Sequence, residues 1–123
     1  MAKDFPYSRQ FEPPAPVAEI IVRAVGEATV QVLIDSGADA SMLPITILRS
    51  IHARFIEKHR VVPVLGRAYT VDLYAVNIQI AGFDIPAVEV IAVKDAGDAL
   101  IGRDVLNHLI ITLDGIGGVT EIS

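Results

Sequence analysis

The chain has 123 residues, which is typical of a single domain that buries about two-thirds of its unfolded surface. Hydrophobic residues make up 52% and charged residues 20%, so the composition excludes both a disordered chain and an unusually polar one. The net charge of −5 argues against a nucleic-acid-binding surface. The absence of cysteine excludes a disulfide framework and a thiolate metal site.

Two features of the sequence concern location. Apolar runs stay well below the roughly 20 residues that a membrane helix needs. The first six residues, Met-Ala-Lys-Asp-Phe-Pro, lack the apolar core of a signal peptide. We therefore expect no membrane segment and no signal peptide in this chain, and a soluble, intracellular protein.

Residues 1–16 carry four of the seven prolines, at positions 6, 13, 14 and 16. Their composition is typical of an extended arm or linker, and residues 17–123 are predicted to form the domain that follows. A disordered tail is an equally good interpretation of residues 1–16.

The domain is predicted to begin with a hairpin. Residues 18–25 are rich in β-branched side chains, and residues 28–34 alternate at first and then become continuously apolar. A short turn at Gly26 joins these two strands. Because the second strand ends at Asp35, the hairpin would be a rigid mount for that carboxylate.

Residues 35–41 read Asp-Ser-Gly-Ala-Asp-Ala-Ser. A carboxylate at the end of a buried strand is costly unless hydrogen bonds hold it, and the Ser36 hydroxyl and the amides around Gly37 could supply them. Gly37 would also permit backbone angles that other residues avoid. Asp-Ser-Gly alone also describes an ordinary Asx-turn between strands. Ser41 is expected to bond locally after the turn.

Residues 44–59 are the first segment with helical spacing. Leu48, Ile51 and Phe55 recur at intervals of three and four, which predicts an extra helix at about 45–58 that starts after Pro44. The charged residues between them are most simply a solvated face, and nucleic-acid binding is the minor alternative.

Strands dominate the rest of the chain. Residues 61–65 and 69–80 are predicted to form two strands around a turn that contains Gly66, and residues 85–93 a third. A polar loop is predicted at 94–98.

The C-terminal segment contains the second predicted helix. An apolar run at 99–101 leads to Gly102, and Asp104 could cap a helix at 105–109. Strands at 110–114 and 119–122 end the chain. The three histidines, at 52, 59 and 108, form no metal-ligand spacing with nearby carboxylates, so we expect no metal site and no cofactor.

Two of these segments resemble, in the same order, the signatures of the retropepsin-like (retroviral-type) aspartic proteases. The first is Leu-Ile-Asp-Ser-Gly-Ala at 33–38, and the second is Ala-Leu-Ile-Gly-Arg-Asp at 99–104. The resemblance extends from Ile20 to the C-terminus. It implies an all-β, closed β-barrel, the single lobe of the acid-protease fold, with one short C-terminal helix.

The resemblance also implies roles for individual residues. Asp35 would be the catalytic carboxylate, in an active-site loop with Ser36, Gly37 and Ala38. Ser36 would form a hydrogen bond across a dimer. Gly37 and Asp39 would bind the main chain of a peptide substrate, Asp39 would pair with Arg103, and Gly66 would lie at the tip of a flap that closes over the peptide.

Peptide hydrolysis by this family requires two carboxylates that share a proton, whereas the chain has one Asp-Ser-Gly. The second would come from Asp35 of an identical subunit on a two-fold axis. The sequence thus predicts a homodimeric aspartic endopeptidase, with the strand at 119–122 contributing to the interface. The alternative is a retropepsin-like dimerisation or peptide-binding module with little or no proteolysis, favoured by a flap tip with Gly66 as its one glycine.

Overall fold

The computed structural model describes residues 2–94 and 97–123, and most of them lie in β-strands. The elements in chain order are β1 (Lys3–Pro6), β2 (Val17–Arg23), β3 (Glu27–Ile34), β4 (Met42–Pro44), α1 (Ile45–Ser50), β5 (Arg54–Val61), β6 (Tyr69–Ile80), β7 (Phe83–Val93), β8 (Leu100–Ile101), α2 (Arg103–Leu106), β9 (Ile111–Asp114) and β10 (Val119–Ile122). The predicted all-β class is therefore confirmed. Residues 95 and 96 of the predicted polar loop lie outside the described residues.

The larger sheet has seven strands in the order β2-β3-β8-β4-β7-β6-β5. Strand β2 also pairs with β6, so the sheet closes on itself and β5 extends from β6 outside the ring. Most neighbours are antiparallel, but β3 runs parallel to β8, and β4 runs parallel to β7. This closed sheet agrees with the predicted single-lobe architecture.

Alternation along the strands explains the core. In β2, Ala18, Ile20 and Val22 point inward and are almost fully buried, whereas Glu19 and Arg23 point outward. Side chains that alternate in this way place one face of each strand inside a closed sheet. The result is one continuous apolar core that includes both helices.

A smaller sheet joins the two ends of the chain. Its three strands have the order β1-β10-β9, and both pairings are antiparallel. Beyond β1, Ser8 and Ala15 exchange two backbone hydrogen bonds across the proline-rich segment. The division into an arm at 1–16 and a domain at 17–123 stays a prediction.

The predicted helix at about 45–58 is wrong over its second half, because the helix ends after Ser50 and β5 starts at Arg54. His52 has a left-handed backbone conformation with φ of 54°, which a continuing α-helix does not permit. Phe55 then packs edge-to-face on Tyr74 of β6, with ring centroids 5.6 Å apart. Cross-strand aromatic packing thus replaces the helical contacts that the spacing predicted.

The predicted strand at 61–65 is also wrong. Strand β5 ends at Val61, where the predicted strand was expected to begin. Gly66 lies in the connection to β6 with φ of 100°, a left-handed value that suits glycine. The hairpin is therefore longer than expected on its N-terminal side.

Truncation of a core valine tests the closed sheet. Val22 is fully buried, and Val25, just beyond the end of β2, is 85% exposed. We expect Val22→Ala to lower the free energy of unfolding by about 2 kcal/mol, because it removes buried methyl groups and leaves a cavity. The matched control, Val25→Ala, should change it by less than about 0.5 kcal/mol. Urea denaturation measures both, and equal midpoints would contradict the assignment of Val22 to the core.

Candidate active site

Asp35 follows the last residue of β3 directly, at a point where the backbone is firmly held. Its N–H donates to the carbonyl oxygen of Ile101 at 3.0 Å, and the N–H of Leu33 donates to the carbonyl oxygen of Ala99 at 2.9 Å. These bonds tie β3 to the segment that enters β8. Asp35 as a whole is half-buried. Backbone hydrogen bonds alone thus fix the position of the Asp35 main chain.

The backbone then turns around the Asp35 carboxylate. Oδ1 of Asp35 accepts a hydrogen bond from the N–H of Gly37 at 2.9 Å. The main-chain carbonyl oxygen of Asp35 accepts one from the N–H of Ala38 at 3.2 Å. Gly37 was expected to permit backbone angles that other residues avoid, but it does not have a positive φ. A Cβ on Gly37 would instead lie 3.2 Å from Oδ1 of Asp35. Glycine is therefore suited to this position by the nearby carboxylate.

Ser41 and Asp104 form a hydrogen-bonded knot beneath this turn. The Ser41 hydroxyl donates to Oδ1 of Asp104 at 2.7 Å, and the Ser41 N–H donates to Oδ2 at 2.9 Å. The same hydroxyl accepts the N–H of Gly102 at 3.1 Å. Ser41 has no exposed surface, so these bonds replace its contacts with water.

The sequence reasoning missed this knot. Ser41 was expected to bond locally, whereas its partner is 63 residues away. Asp104 was expected to cap a helix at 105–109, but the helix is Arg103–Leu106 and Gly102 occupies its N-cap position. The pairing of β8 with both β3 and β4 brings these segments together. The available sequence signal was a serine shortly after the turn and an aspartate that follows Gly-Arg.

Close backbone packing reinforces the knot. A Cβ on Gly102 would lie 2.6 Å from the carbonyl oxygen of Ala38, a distance that no side chain tolerates. That oxygen accepts the N–H of Arg103 at 2.9 Å. The glycine therefore lets the start of α2 sit directly against the turn that follows Asp35.

The Arg103 guanidinium reaches two groups of the turn. Nη1 donates to the carbonyl oxygen of Ser36 at 2.7 Å, and Nη2 donates to Oδ1 of Asp39. The Asp39 side chain is 90% exposed, so this ion pair contributes at most about 1 kcal/mol to stability. The bond to the Ser36 carbonyl is the contact that fixes the backbone.

A cleft of about 410 Å³ lies next to the turn. Ala38, Asp39 and Ala40 form its wall on the turn side, and the β5–β6 hairpin forms much of the rest. The other residues that line it are Met42, His59, Arg60, Val61, Val62, Tyr69 and Ile91. Gly37, Asp39 and Gly66 were predicted to bind substrate, and of these Asp39 lines the cleft. The apolar lining residues were missed because strand pairing, and not sequence spacing, assembles them.

Strand register places two of the lining residues, His59 and Ile91, on one face of the sheet. Leu73 is opposite both Ile91 of β7 and Glu57 of β5, so these three share one face of the sheet. Two residues beyond Glu57, His59 lies on the same face. On the opposite face, a hydrogen bond from Lys58 holds the pKa of Asp72 below its ordinary value and ties β5 to β6.

Within residues 2–94 and 97–123, no three His, Asp or Glu side chains lie close enough to hold a metal ion. In the same part of the chain, no helix has the length and hydrophobicity to cross a membrane.

Comparison with known proteins places this geometry in context. A family model described as "Aspartyl protease" matches residues 21–105. No curated protein matches the sequence. Among solved structures, a retropepsin-like aspartic protease from Rickettsia conorii is similar with a TM-score of 0.69 and 11% identity, over 99% of this chain and 91% of that one.

Two further structures have the same fold. EIAV protease in complex with an inhibitor has a TM-score of 0.53 and 22% identity, over 76% of this chain and 86% of that one. The retroviral protease-like domain of Ddi1 from Leishmania major has a TM-score of 0.51 and 21% identity, with 82% and 83% covered. These likenesses establish the predicted retropepsin-like fold.

Removal of the Ser41 hydroxyl tests the knot. We expect Ser41→Ala to lower the free energy of unfolding by about 2–3 kcal/mol, because Asp104 loses a donor and the Gly102 N–H loses its acceptor. The matched control is Ser50→Ala, which removes an exposed hydroxyl bonded to the Ile47 carbonyl and should cost less than about 0.5 kcal/mol. Urea unfolding measures the free energy of unfolding of both variants. If Ser41→Ala lowers it no more than Ser50→Ala does, the Ser41–Asp104 hydrogen bonds do not stabilise the fold.

Proposed function

Because the chain belongs to the aspartyl protease family, we propose that it is a homodimeric aspartic endopeptidase in which each subunit supplies Asp35. The observation that carries the proposal is the mounting of this carboxylate. Asp35 directly follows β3, its Oδ1 accepts the Gly37 N–H, and Arg103 holds the backbone of the same turn. Such rigid positioning suits a group that must hold its geometry during catalysis.

The chemistry needs a second carboxylate, and Asp104 of the same chain is unsuited to supply it. Both of its oxygens already accept hydrogen bonds from Ser41, and Oδ1 also accepts the Val105 N–H. A two-fold axis would instead place Asp35 beside its own copy. In that dimer Ser36 would bond across the axis and hold the two turns together.

Hydrolysis then follows from one proton shared by two carboxylates. Two such groups about 3 Å apart cannot both ionise, so one is a base while the other is an acid. The base takes a proton from a water molecule while the oxygen of that water attacks the peptide carbonyl carbon. The acid protonates the carbonyl oxygen at the same time, which gives a tetrahedral intermediate. Collapse of this intermediate, with proton transfer to the nitrogen, breaks the C–N bond.

A peptide would bind in the cleft beside the turn. The Asp39 carboxylate lines this cleft and is exposed, so it is available to accept a main-chain N–H of the peptide. The Gly37 carbonyl would face the same strand of substrate. Apolar side chains such as Met42 and Ile91 would receive substrate side chains, and the β5–β6 hairpin would be the flap with Gly66 at its tip.

One observation favours a second candidate, a dimeric module that binds peptides with little or no hydrolysis. The tip of the hairpin carries the exposed apolar residues Val62, Val64 and Leu65 and one glycine, Gly66. A tip of this kind suits peptide binding but has less of the backbone freedom that glycines give a closing flap. Cleavage of peptides by the wild-type protein separates the two candidates.

Replacement of Asp35 is the direct test of the enzyme. Asp35→Asn should abolish cleavage of an unfolded protein at acid pH while the circular dichroism spectrum and the dimer persist, because the amide loses the shared proton. Asp84→Asn, at an exposed position near the start of β7, is the matched control and should keep full activity. Wild-type protein that binds peptides without cutting them would support the peptide-binding module. Unchanged turnover in Asp35→Asn would contradict the mechanism in which two Asp35 carboxylates share a proton.

Concentration and pH test the shared site. Specific activity should fall on dilution below the dimer dissociation constant, since each subunit holds half of the dyad. Activity should also decline at high pH, where the shared proton is lost, and at low pH, where the base is protonated. Initial rates across a dilution series, with sedimentation measured in parallel, check this expectation. Full activity from a proven monomer would overturn it.

A further inference from the structure

The small sheet of the two chain ends restricts how a second copy can bind. Strand β10 lies between β1 and β9 and is hydrogen-bonded along both of its edges. It therefore has no edge to offer another chain while this sheet is intact. Any extension of the sheet must use the outer edge of β1 or of β9.

The outer edge of β1 is poorly suited to pairing. Tyr7 donates its N–H to the carbonyl oxygen of Gly118, and this bond fixes the alternation along the strand. Asp4 and Pro6 consequently direct their backbone groups outward. Pro6 has no N–H, and Asp4 places a charge beside the edge. Proline and charge are the devices by which proteins protect an edge strand from association.

The outer edge of β9 has the opposite character. Ile110 and Ser123 exchange two hydrogen bonds, at 2.7 and 3.0 Å, which sets the alternation in β9. The N–H and C=O groups of Ile111 and Leu113 therefore point away from β10. Among the residues that the structure describes, no strand pairs with this edge. Residues 110–113 are uncharged, and Ile110 and Leu113 are 70% and 52% exposed.

We propose that β9 is the subunit interface and pairs antiparallel with β9 of a second copy across a two-fold axis. This inference rests on the proposed function, since Asp35 needs a second copy to complete its site. With Thr112 on the axis, Ile111 lies opposite Leu113 of the second copy, and the outward groups form four hydrogen bonds. Asp114 then lies opposite Ile110, so no carboxylate faces another.

The two small sheets become one sheet of six strands in this arrangement. The second copy covers the exposed part of Leu113, which lies opposite the buried Thr120 on the inner face. Strand β9 follows α2 by four residues, and Arg103 of α2 binds the turn of Asp35. The interface strand and the catalytic turn are thus anchored to the same short helix.

A lysine placed on each edge in turn tests the interface. In the full chain, Leu113→Lys should weaken the dimer roughly tenfold or more, because the change occurs in both copies, one residue away from the axis. The matched control, Asp4→Lys on the outer edge of β1, should keep the wild-type dissociation constant. Analytical ultracentrifugation measures the constants, and thermal unfolding by circular dichroism shows that both variants are folded.

Leu113→Pro provides a second measure, because it removes an outward N–H that takes no part in the ladder with β10. It should also yield monomer. If both Leu113 variants keep the wild-type dissociation constant, or if the wild-type chain is monomeric, the β9 interface is overturned. A dimer that is weakened by Leu113→Lys but never cleaves peptides would support the interface and overturn the proposed enzyme.

Discussion

The contact between the Ser41 hydroxyl and the Asp104 carboxylate joins two chain segments that are 63 residues apart. Because the contact is buried, each of its polar groups needs a hydrogen-bond partner, and a buried polar group without one costs about 1–3 kcal/mol. Gly102 belongs to the same arrangement, since its N–H donates to Ser41 and its lack of a side chain admits the Ala38 carbonyl. The turn that carries Asp35 is consequently held by the Ser41–Asp104 hydrogen bonds and by the close packing of Gly102 on the Ala38 carbonyl.

The closed sheet explains why these two segments meet. Strands β3 and β8 are parallel neighbours, so the turns that follow them emerge at the same end of the sheet. Asp35 follows β3, and Gly102 follows β8. Antiparallel neighbours would have sent the two turns to opposite ends. The topology of this one pair of strands therefore decides whether Arg103 can reach the Ser36 carbonyl.

The sequence predicted the parts of the fold that depend on local pattern. The hairpin of β2 and β3 was evident from β-branched runs around Gly26, and its end at Asp35 was correct. The segment after Pro44 was misjudged because Leu48 and Ile51 follow helical spacing and Phe55 continues it by coincidence. Phe55 is in fact opposite Tyr74 in a strand pair, a contact between distant residues that a local period cannot reveal.

The candidate site shows the same limit. The two motifs located Asp35 and Arg103, because each has a recognisable local sequence. Neither motif revealed the bond between Ser41 and Asp104, or the cleft residues Met42 and Ile91, since these depend on which strands are neighbours. Local sequence thus located the candidate carboxylate, whereas its hydrogen-bond partners and the cleft beside it depend on the topology of the sheet.

The bonds that hold the turn after Asp35 all lie within one chain. Arg103 binds the Ser36 carbonyl, and Gly37 binds the Asp35 carboxylate, without any contribution from a second copy. Under the proposed function, association therefore does not have to shape the turn, and it only has to bring a second preorganised carboxylate alongside the first. A two-fold interface suits this requirement, because it uses the same surface on both subunits and places identical groups about one axis. The entropic cost of ordering the turn is then met during folding, so that subunit association and peptide binding need not supply it.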